Sequence, residues 1–215
     1  MHVHYNKQSP LPVSAMLRLV ALIFFVQGCA STHLHNPENI CSIFEQKRGW
    51  YKASVRAEKK WGTPLSTPMA IMYQESAFKA RARPPRRWYF GFIPGRRASS
   101  AYGYAQAIDG TWQAYLRDTG DYGRSRRNFA DSLDFIHWYM REAQEKNGIK
   151  KHDPYHLYLN YHEGLQGFRR RSFEGKTGLL KAARKVQARS GRYAEQYASC
   201  RKSLSRGWFR RWLGF

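Results

Sequence analysis

One glutamate, Glu75, lies in a segment that is otherwise almost entirely apolar. The segment runs from Met69 to Lys79, and on a helical wheel its apolar residues spread around most of the circumference, which predicts a helix buried on most sides. Glu75 falls between Ile71 and Met72 on this wheel. A carboxyl group in apolar surroundings resists ionisation, so its pKa rises toward neutral pH, as a general acid requires. The alternative is a partly exposed Glu75, or one paired with an arginine.

The aspartates of the chain fit structural roles better. Those beside turns or at helix starts, where capping is the ordinary role, are Asp109, Asp118, Asp121, Asp131 and Asp134. The sequence contains no CxxC or HExxH spacing and no glycine-rich phosphate loop. We therefore expect chemistry carried by a single acid, without a metal or other cofactor.

Helical patterns dominate the rest of the chain, and the predicted fold class is mostly α. Capping residues and glycine stops predict helices over residues 37–62, 69–81, 110–119, 129–148, 154–164 and 177–199, the last as one or two helices. Their predicted N-caps are Asn36, Asp109, Asn128 and Asp153. Residues 81–100 contain Pro84-Pro85, Pro94-Gly95, six arginines and four aromatic residues, and predict a long loop. No alternating strand of useful length and no internal repeat are expected.

Three segments in a fixed order carry a resemblance. They are Gln74–Phe78 (QESAF), Ser100–Gln106 (SAYGYAQ) with Thr111–Trp112 after it, and Tyr158–Gly164 (YLNYHEG). They resemble the E-S-x-F, G-A-x-G-L-M-Q, T-W and A-Y-N-A-G segments of the lytic transglycosylases of the soluble lytic transglycosylase (SLT, goose-lysozyme-like) superfamily. The resemblance covers about residues 41–200 and implies a single lysozyme-like helical domain.

The resemblance implies cleavage of the β-1,4 bond from N-acetylmuramic acid to N-acetylglucosamine in peptidoglycan, without hydrolysis and with 1,6-anhydro ends. It assigns the acid and then the base to Glu75, and substrate binding to Ser100, Gln106, Tyr161 and His162. Each of these four assignments has an alternative. Ser99 could bind the substrate in place of Ser100, and Gln106 could instead stabilise its loop. Tyr161 could be a core residue, and His162 could cap the end of its helix. A muramidase-type hydrolase and a non-catalytic peptidoglycan-binding protein remain alternative functions.

The sequence departs from the family pattern in three places. Tyr104-Ala105 replaces Leu-Met, His162 replaces the asparagine of the third segment, and the basic aromatic loop 81–100 is longer than the usual connection. Because of these departures, the sequence does not determine which residues contact the sugars at each subsite, or whether cleavage is exo or endo.

The N-terminus is similar to a bacterial lipoprotein signal. Residues 19–26 are apolar but too short to span a bilayer, and Gly28-Cys29 follows them. We expect residues 1–28 to be a signal peptide whose true start is Met16, Cys29 to carry lipid, and 29–40 to form a tether. This places the protein in the bacterial periplasm, anchored to the outer membrane. An ordinary signal peptide is the alternative.

Two further cysteines, Cys41 and Cys200, remain after lipidation of Cys29. In an oxidising compartment two leftover thiols usually form a disulfide, which here would join the first helix to the last. Buried free thiols are the alternative.

The chain is strongly basic, with a formal net charge of +22 at pH 7. This charge attracts anionic polymers such as peptidoglycan. The tail, 201–215, mixes basic and aromatic residues as interfacial anchors do, although a solvated end is equally consistent. A nucleic-acid partner is disfavoured because no RRM, KH or zinc-finger pattern occurs, and we expect a monomer.

Overall fold

A computed structural model describes residues 34–212, apart from the side chains of Arg87 and of residues 207–212. Within this part the chain forms seven helices and one two-stranded sheet. In chain order they are α1 (Ile40–Gln46), α2 (Arg48–Trp61), α3 (Ser66–Ser76), β1 (Arg86–Tyr89), β2 (Ile93–Arg97), α4 (Asp109–Thr119), α5 (Phe129–Asn147), α6 (Pro154–Arg169) and α7 (Thr177–Trp212). The predicted mostly α fold class is confirmed.

The first predicted helix is two helices in the structure. Asn39, not Asn36, caps α1, because its side-chain oxygen accepts hydrogen bonds from the backbone N–H groups of Cys41 and Ser42. Asn36 has a φ of 52°, outside the extended conformation of an N-cap. The chain leaves helical geometry again at Lys47, which separates α1 from α2.

Helix α3 is buried on most sides, as its pattern predicts, but its bounds differ from the prediction. It begins at Ser66 and ends at Ser76, whereas the predicted helix ran from Met69 to Arg81. The early end follows from Ala77 and Phe78, whose φ angles of 48° and 59° are left-handed. Phe78 is buried against the ring of Trp50, so packing into the core compensates for this strained turn.

Of the N-caps predicted for the next helices, Asn128 and Asp153 are confirmed and Asp109 is not, and α6 continues past its predicted end at Gly164. Asn128 accepts from the N–H of Asp131 at the start of α5, and Gly148 ends that helix at a φ of 67°. Asp153 accepts from the N–H of His156 and precedes Pro154, the first residue of α6. Asp109 instead lies inside the first turn of α4, with Ile108 at the N-cap.

The predicted long loop contains a β-hairpin, so the expectation of no useful strand was wrong. Strands β1 and β2 are antiparallel, with Tyr89 opposite Ile93 and Trp88 opposite Pro94. The strands have four and five residues and their large side chains point into solvent. Such strands lack the alternation of apolar and polar residues that half-buried strands show, which explains why the pattern missed them.

The core forms where α7 packs against α1, α3 and α6, and where α5 packs against α2, α3 and α6. The predicted disulfide is present: Cys41 in α1 is bonded to Cys200 in α7, with their Cα atoms 6.1 Å apart. Both cysteines and the buried core lie within residues 34–212.

The folded unit extends beyond both ends of the predicted domain 41–200. Leu34 and Ile40, placed in the predicted tether, are buried, and so is Leu204 near the other end. The predicted signal peptide, the lipidation site Cys29 and the side chains of the tail from residue 207 on lie outside the described residues. Across residues 34–212, the structure has no helix with an apolar stretch long enough to cross a bilayer.

Candidate active site

A cleft of about 460 Å³ opens beside the last turn of α3, and Glu75 lies in its wall. The α6 side contributes Tyr161, His162, Glu163 and Gly164. The remaining lining residues come from the segment before α4, from α4 and from α5: Ser99, Ala101, Gln106, Ala107, Ile108, Thr111, Phe135 and Tyr139. Two of the three recognised segments therefore meet Glu75 in one cavity, although they are far apart in the chain.

Burial raises the pKa of Glu75 to about 7. The carboxyl group has lost most of its hydrating water, which penalises the charged form. Its place in the last turn of α3 acts in the same direction, because the C-terminal end of a helix carries a partial negative charge. The nearby Tyr158 hydroxyl acts in the opposite direction and lowers the pKa, since it can donate a hydrogen bond to the carboxylate.

Tyr158 is a functional candidate that the sequence reasoning missed. It lies on α6 three residues before Tyr161, and residues three apart share a helix face. That spacing could have placed Tyr158 beside Glu75 once Tyr161 was assigned to the cleft. Burial and the neighbouring Glu75 carboxylate raise the pKa of the Tyr158 hydroxyl, so it stays a proton donor.

Tyr161 lines the cleft, but its hydroxyl is bound to the backbone. It donates to the carbonyl oxygen of Ala105 at 2.6 Å, and its ring packs against Phe135 and Tyr139. Burial first, and then the charge of Glu75, raise the pKa of Tyr161 well above its usual value. Tyr161 therefore fixes the segment 101–107 against α6 next to the acid.

Gln106 also lines the cleft and stabilises the loop around it. Its side-chain nitrogen donates to the carbonyl oxygens of Ala82, at 3.0 Å, and Gly103, at 2.9 Å. The amide nitrogen is thus occupied in this structure. Within the described residues the side-chain carbonyl oxygen accepts no hydrogen bond, so contact with a sugar would use Gln106 as an acceptor.

The two neighbouring serines have different positions. Ser99 lines the cleft. Ser100 does not line it, and its hydroxyl oxygen accepts from the N–H of Asp109 at 3.1 Å, at the start of α4. Of the two, Ser99 is placed to touch a bound ligand, and Ser100 positions the helix start behind it.

Glu163 is a second carboxylate in the cleft, and its environment is the reverse of that of Glu75. Lys176 donates to both of its oxygens, at 2.9 and 2.8 Å, and the Ser172 hydroxyl donates to one of them. His162, which is mostly exposed, lies 3.2 Å from the other oxygen. Burial favours the neutral form, but these hydrogen bonds outweigh it and lower the pKa of Glu163 to about 2. Glu163 is therefore ionised at neutral pH.

Two glycines of the recognised segments have conformations that other residues rarely adopt. Gly103 has a φ of 78°, and a Cβ at this position would lie 1.9 Å from the carbonyl oxygen of Arg126. Gly164 has φ 78° and ψ 165° and kinks α6 where it borders the cleft. Both glycines shape the backbone of the segments that line the cleft, because they let one backbone pass close to another or turn sharply.

The cleft continues into a second groove of about 570 Å³, with which it shares Thr111, Tyr139, Glu163 and Gly164. Charged side chains of both signs line the second groove, namely Asp118, Glu142, Lys146 and Arg170. A continuous groove suits an extended, polar chain better than a small compact ligand.

Comparison with known proteins gives one family. No curated protein and no solved structure matches the chain. The family model described as "Transglycosylase SLT domain" matches residues 17–200, which include Glu75, Gln106 and Tyr161. The chain is therefore a member of the transglycosylase SLT domain family.

Proposed function

We propose that the protein is a lytic transglycosylase that cleaves the bond from N-acetylmuramic acid to N-acetylglucosamine in peptidoglycan. The observation that carries the proposal is the position of Glu75 in a cleft formed by the recognised segments, where burial raises its pKa to about 7. Family membership supports a peptidoglycan substrate, and the extended groove supports a polymer.

In the first step the Glu75 carboxyl donates its proton to the glycosidic oxygen. The bond from that oxygen to C1 of the muramic acid breaks, and the N-acetylglucosamine end leaves as an alcohol. The positive charge that develops at C1 is balanced by the new Glu75 carboxylate and by the acetamido carbonyl of the substrate. The Tyr158 hydroxyl stabilises this carboxylate by hydrogen bonding, at the moment when it forms.

In the second step the Glu75 carboxylate accepts the proton of the C6 hydroxyl. The C6 oxygen forms a bond to C1 and closes a 1,6-anhydro ring, which returns Glu75 to its acid form. No water is consumed, and one side chain serves as acid and then as base. A pKa near 7 suits both halves of this cycle at neutral pH.

A muramidase-type hydrolase is the second candidate, because Glu163 places another carboxylate in the cleft. A hydrolase would use it as a base or nucleophile. Lys176 and Ser172 already occupy its oxygens, and a carboxylate with a pKa of about 2 is a weak base. The environment of Glu163 therefore favours the reaction in which the substrate supplies its own hydroxyl.

Product analysis distinguishes the candidates. Purified residues 30–215 are incubated with sacculi and the released muropeptides are identified by mass spectrometry. Anhydro ends are expected; reducing ends would establish the hydrolase, and no products would indicate a binding protein.

Two matched carboxamide variants then test the assignment of the acid. Glu75→Gln should lose activity by at least the ~10²–10⁴-fold typical of general acid–base catalysis. Glu163→Gln should retain anhydro products, because it removes a charge but not the acid. Near-wild-type turnover in Glu75→Gln would contradict the mechanism.

We also propose that Cys29 is acylated and anchors the protein to the outer membrane, facing the periplasm. The support is the apolar run followed by Gly28-Cys29 in the sequence. Metabolic labelling with a radioactive fatty acid should mark the wild type but not Cys29→Ser. Equal labelling of both would refute the anchor.

A further inference from the structure

The tip of the β-hairpin concentrates exposed hydrophobic surface. Within the described residues, seven large hydrophobic side chains are exposed, and five of them lie between Trp88 and Ile93. Phe90 and Phe92 are 87% and 73% exposed. A contiguous exposed apolar patch of this kind marks a site of interaction with a partner or a membrane.

The turn at the tip keeps an aromatic residue in a strained conformation. The N–H of Phe92 donates to the carbonyl oxygen of Tyr89 at 3.3 Å, and Phe90 and Gly91 both have positive φ, 52° and 78°. A β-turn in which both central residues have positive φ favours asparagine followed by glycine at those positions. Phe90 gains no packing inside the chain in return for its strained backbone, because it is almost fully exposed.

Arginines surround this apolar tip. Between residues 79 and 98 the chain has one lysine and six arginines, and it has no acidic or amide side chain. Arg81, Arg83, Arg86 and Arg96 are exposed. In the described residues these four make no salt bridge, although Arg83 lies over the ring of Tyr102, so their positive charge is not neutralised by an acidic side chain there.

We propose that the hairpin, residues 86–97, docks on an anionic lipid bilayer, with Phe90 and Phe92 entering the interface and the arginines at the headgroups. Apolar side chains enter the boundary between headgroups and acyl chains, and basic side chains are attracted to acidic lipids. The hairpin includes neither Cys29 nor the C-terminal tail, and the proposal does not depend on the catalytic one.

The arrangement of the side chains favours lipid over a glycan. Successive residues of a strand point to opposite faces, so Trp88 and Tyr89 are exposed on opposite faces of the hairpin. A sugar ring stacks on one flat platform and needs polar groups beside it, whereas a fluid layer surrounds an inserted tip on all sides. The hairpin exposes aromatic side chains on both faces and has no carboxylate or amide side chain.

The test measures co-sedimentation of residues 30–215 with vesicles. This fragment contains both cysteines of the disulfide and the buried core, and it lacks the apolar N-terminal run. The wild type should bind vesicles of phosphatidylglycerol mixed with phosphatidylcholine more tightly than pure phosphatidylcholine. Phe92→Ser, and Arg86→Gln with Arg96→Gln, should each weaken binding to the mixed vesicles at least roughly tenfold. Tyr122→Ser, an exposed aromatic outside the hairpin, is the matched control and should bind like the wild type.

Phe90→Asn separates docking from folding. Asparagine suits the turn, so the melting temperature should stay the same or rise, while vesicle binding should fall at least roughly tenfold. Wild-type vesicle affinity in both Phe90→Asn and Phe92→Ser would overturn the proposal. Loss of binding to purified sacculi with vesicle binding retained would also overturn it, and would assign the hairpin to the glycan.

Discussion

Two carboxyl groups in one cleft have pKa values shifted in opposite directions. Glu75 has a pKa of about 7 because it is desolvated, and Glu163 has a pKa of about 2 because Lys176 and Ser172 bind it. Separation of pKa values within one site assigns the acid without reference to sequence position. The pH behaviour of the protein is therefore a direct test of the site.

Turnover should decrease as pH rises through about 7, where Glu75 loses its proton. In Tyr158→Phe the carboxylate loses a stabilising hydrogen bond, so the pKa of Glu75 should rise and this alkaline limb should move up by roughly one pH unit. The measurement is the pH profile of kcat. Tyr161→Phe is the control, since the Tyr161 hydroxyl donates to Ala105, and its limb should stay in place. An unshifted limb in Tyr158→Phe would show that Tyr158 does not act on Glu75.

The raised pKa of Glu75 also has a stability consequence. Between its ordinary value of 4.5 and about 7 the folded protein binds more protons than the unfolded chain, so this contribution to stability is lost as pH rises through that range. The side chain of Glu75→Gln does not titrate, so this variant does not lose stability in that way. Its free energy of unfolding relative to the wild type should increase by up to roughly 3 kcal/mol when the pH is raised from 4.5 to 8. Urea unfolding at both pH values measures the difference. A gain that does not depend on pH would mean that the carboxyl group titrates normally.

At the level of secondary structure, the segment 101–107 forms a wall of the cleft because Gly103 passes very close to Arg126. Gly103→Ala forces a Cβ against the carbonyl oxygen of Arg126 and should lower both stability, by roughly 1–3 kcal/mol or more, and activity. Gly120→Ala is the matched control: Gly120 has a similar φ of 68°, but a Cβ there would meet no atom within 4 Å. It should show only the cost of the left-handed backbone, about 1–2 kcal/mol, with activity kept. Equal losses of stability and activity in the two variants would contradict this role of Gly103.

Local signals in the sequence predicted the elements that depend on local contacts. The caps at Asn128 and Asp153 were predicted correctly because each side chain bonds a backbone N–H three residues away. The end of α3 was not predicted correctly. Phe78 has a left-handed backbone conformation and packs against Trp50, which is distant in the chain, so no local signal marks this end. The hairpin was missed because its side chains face solvent and leave no burial pattern.

The same division applies to the site. Glu75 could be found from the sequence, since an acid among apolar residues of one helix is a local pattern. The hydrogen bonds that define the roles of its neighbours join α6 to the segment 101–107 and Gln106 to Ala82, and no spacing in the sequence encodes them. Tyr158 is different, because its spacing of three residues from Tyr161 on α6 could have placed it beside Glu75.

At the scale of the whole molecule, the two ends of the folded unit are joined. The disulfide links Cys41 to Cys200 across 159 residues, and Arg189 and Arg192 of α7 form ion pairs with Glu38. A closed loop of this length reduces the entropy of the unfolded chain. In the chain-entropy model this stabilises the folded state by on the order of 5 kcal/mol.

Reduction of the disulfide should therefore lower the free energy of unfolding by a large part of that amount. Urea unfolding of residues 30–215 with and without dithiothreitol measures the effect, and Cys41→Ser with Cys200→Ser should reproduce it. In the double variant dithiothreitol should change nothing, which serves as the control. An unchanged urea midpoint for reduced wild-type protein would show that the ion pairs and packing alone hold the ends together.

The hairpin leaves the domain and returns to it at nearly the same point. The carbonyl oxygen of Ala82, just before the hairpin, accepts hydrogen bonds from the N–H of Gly103 and from Gln106, just after it. A segment closed at its base in this way can be lengthened, shortened or exchanged in evolution while the catalytic wall keeps its shape. Related enzymes could thus bind new sites on the cell envelope without a change in their chemistry.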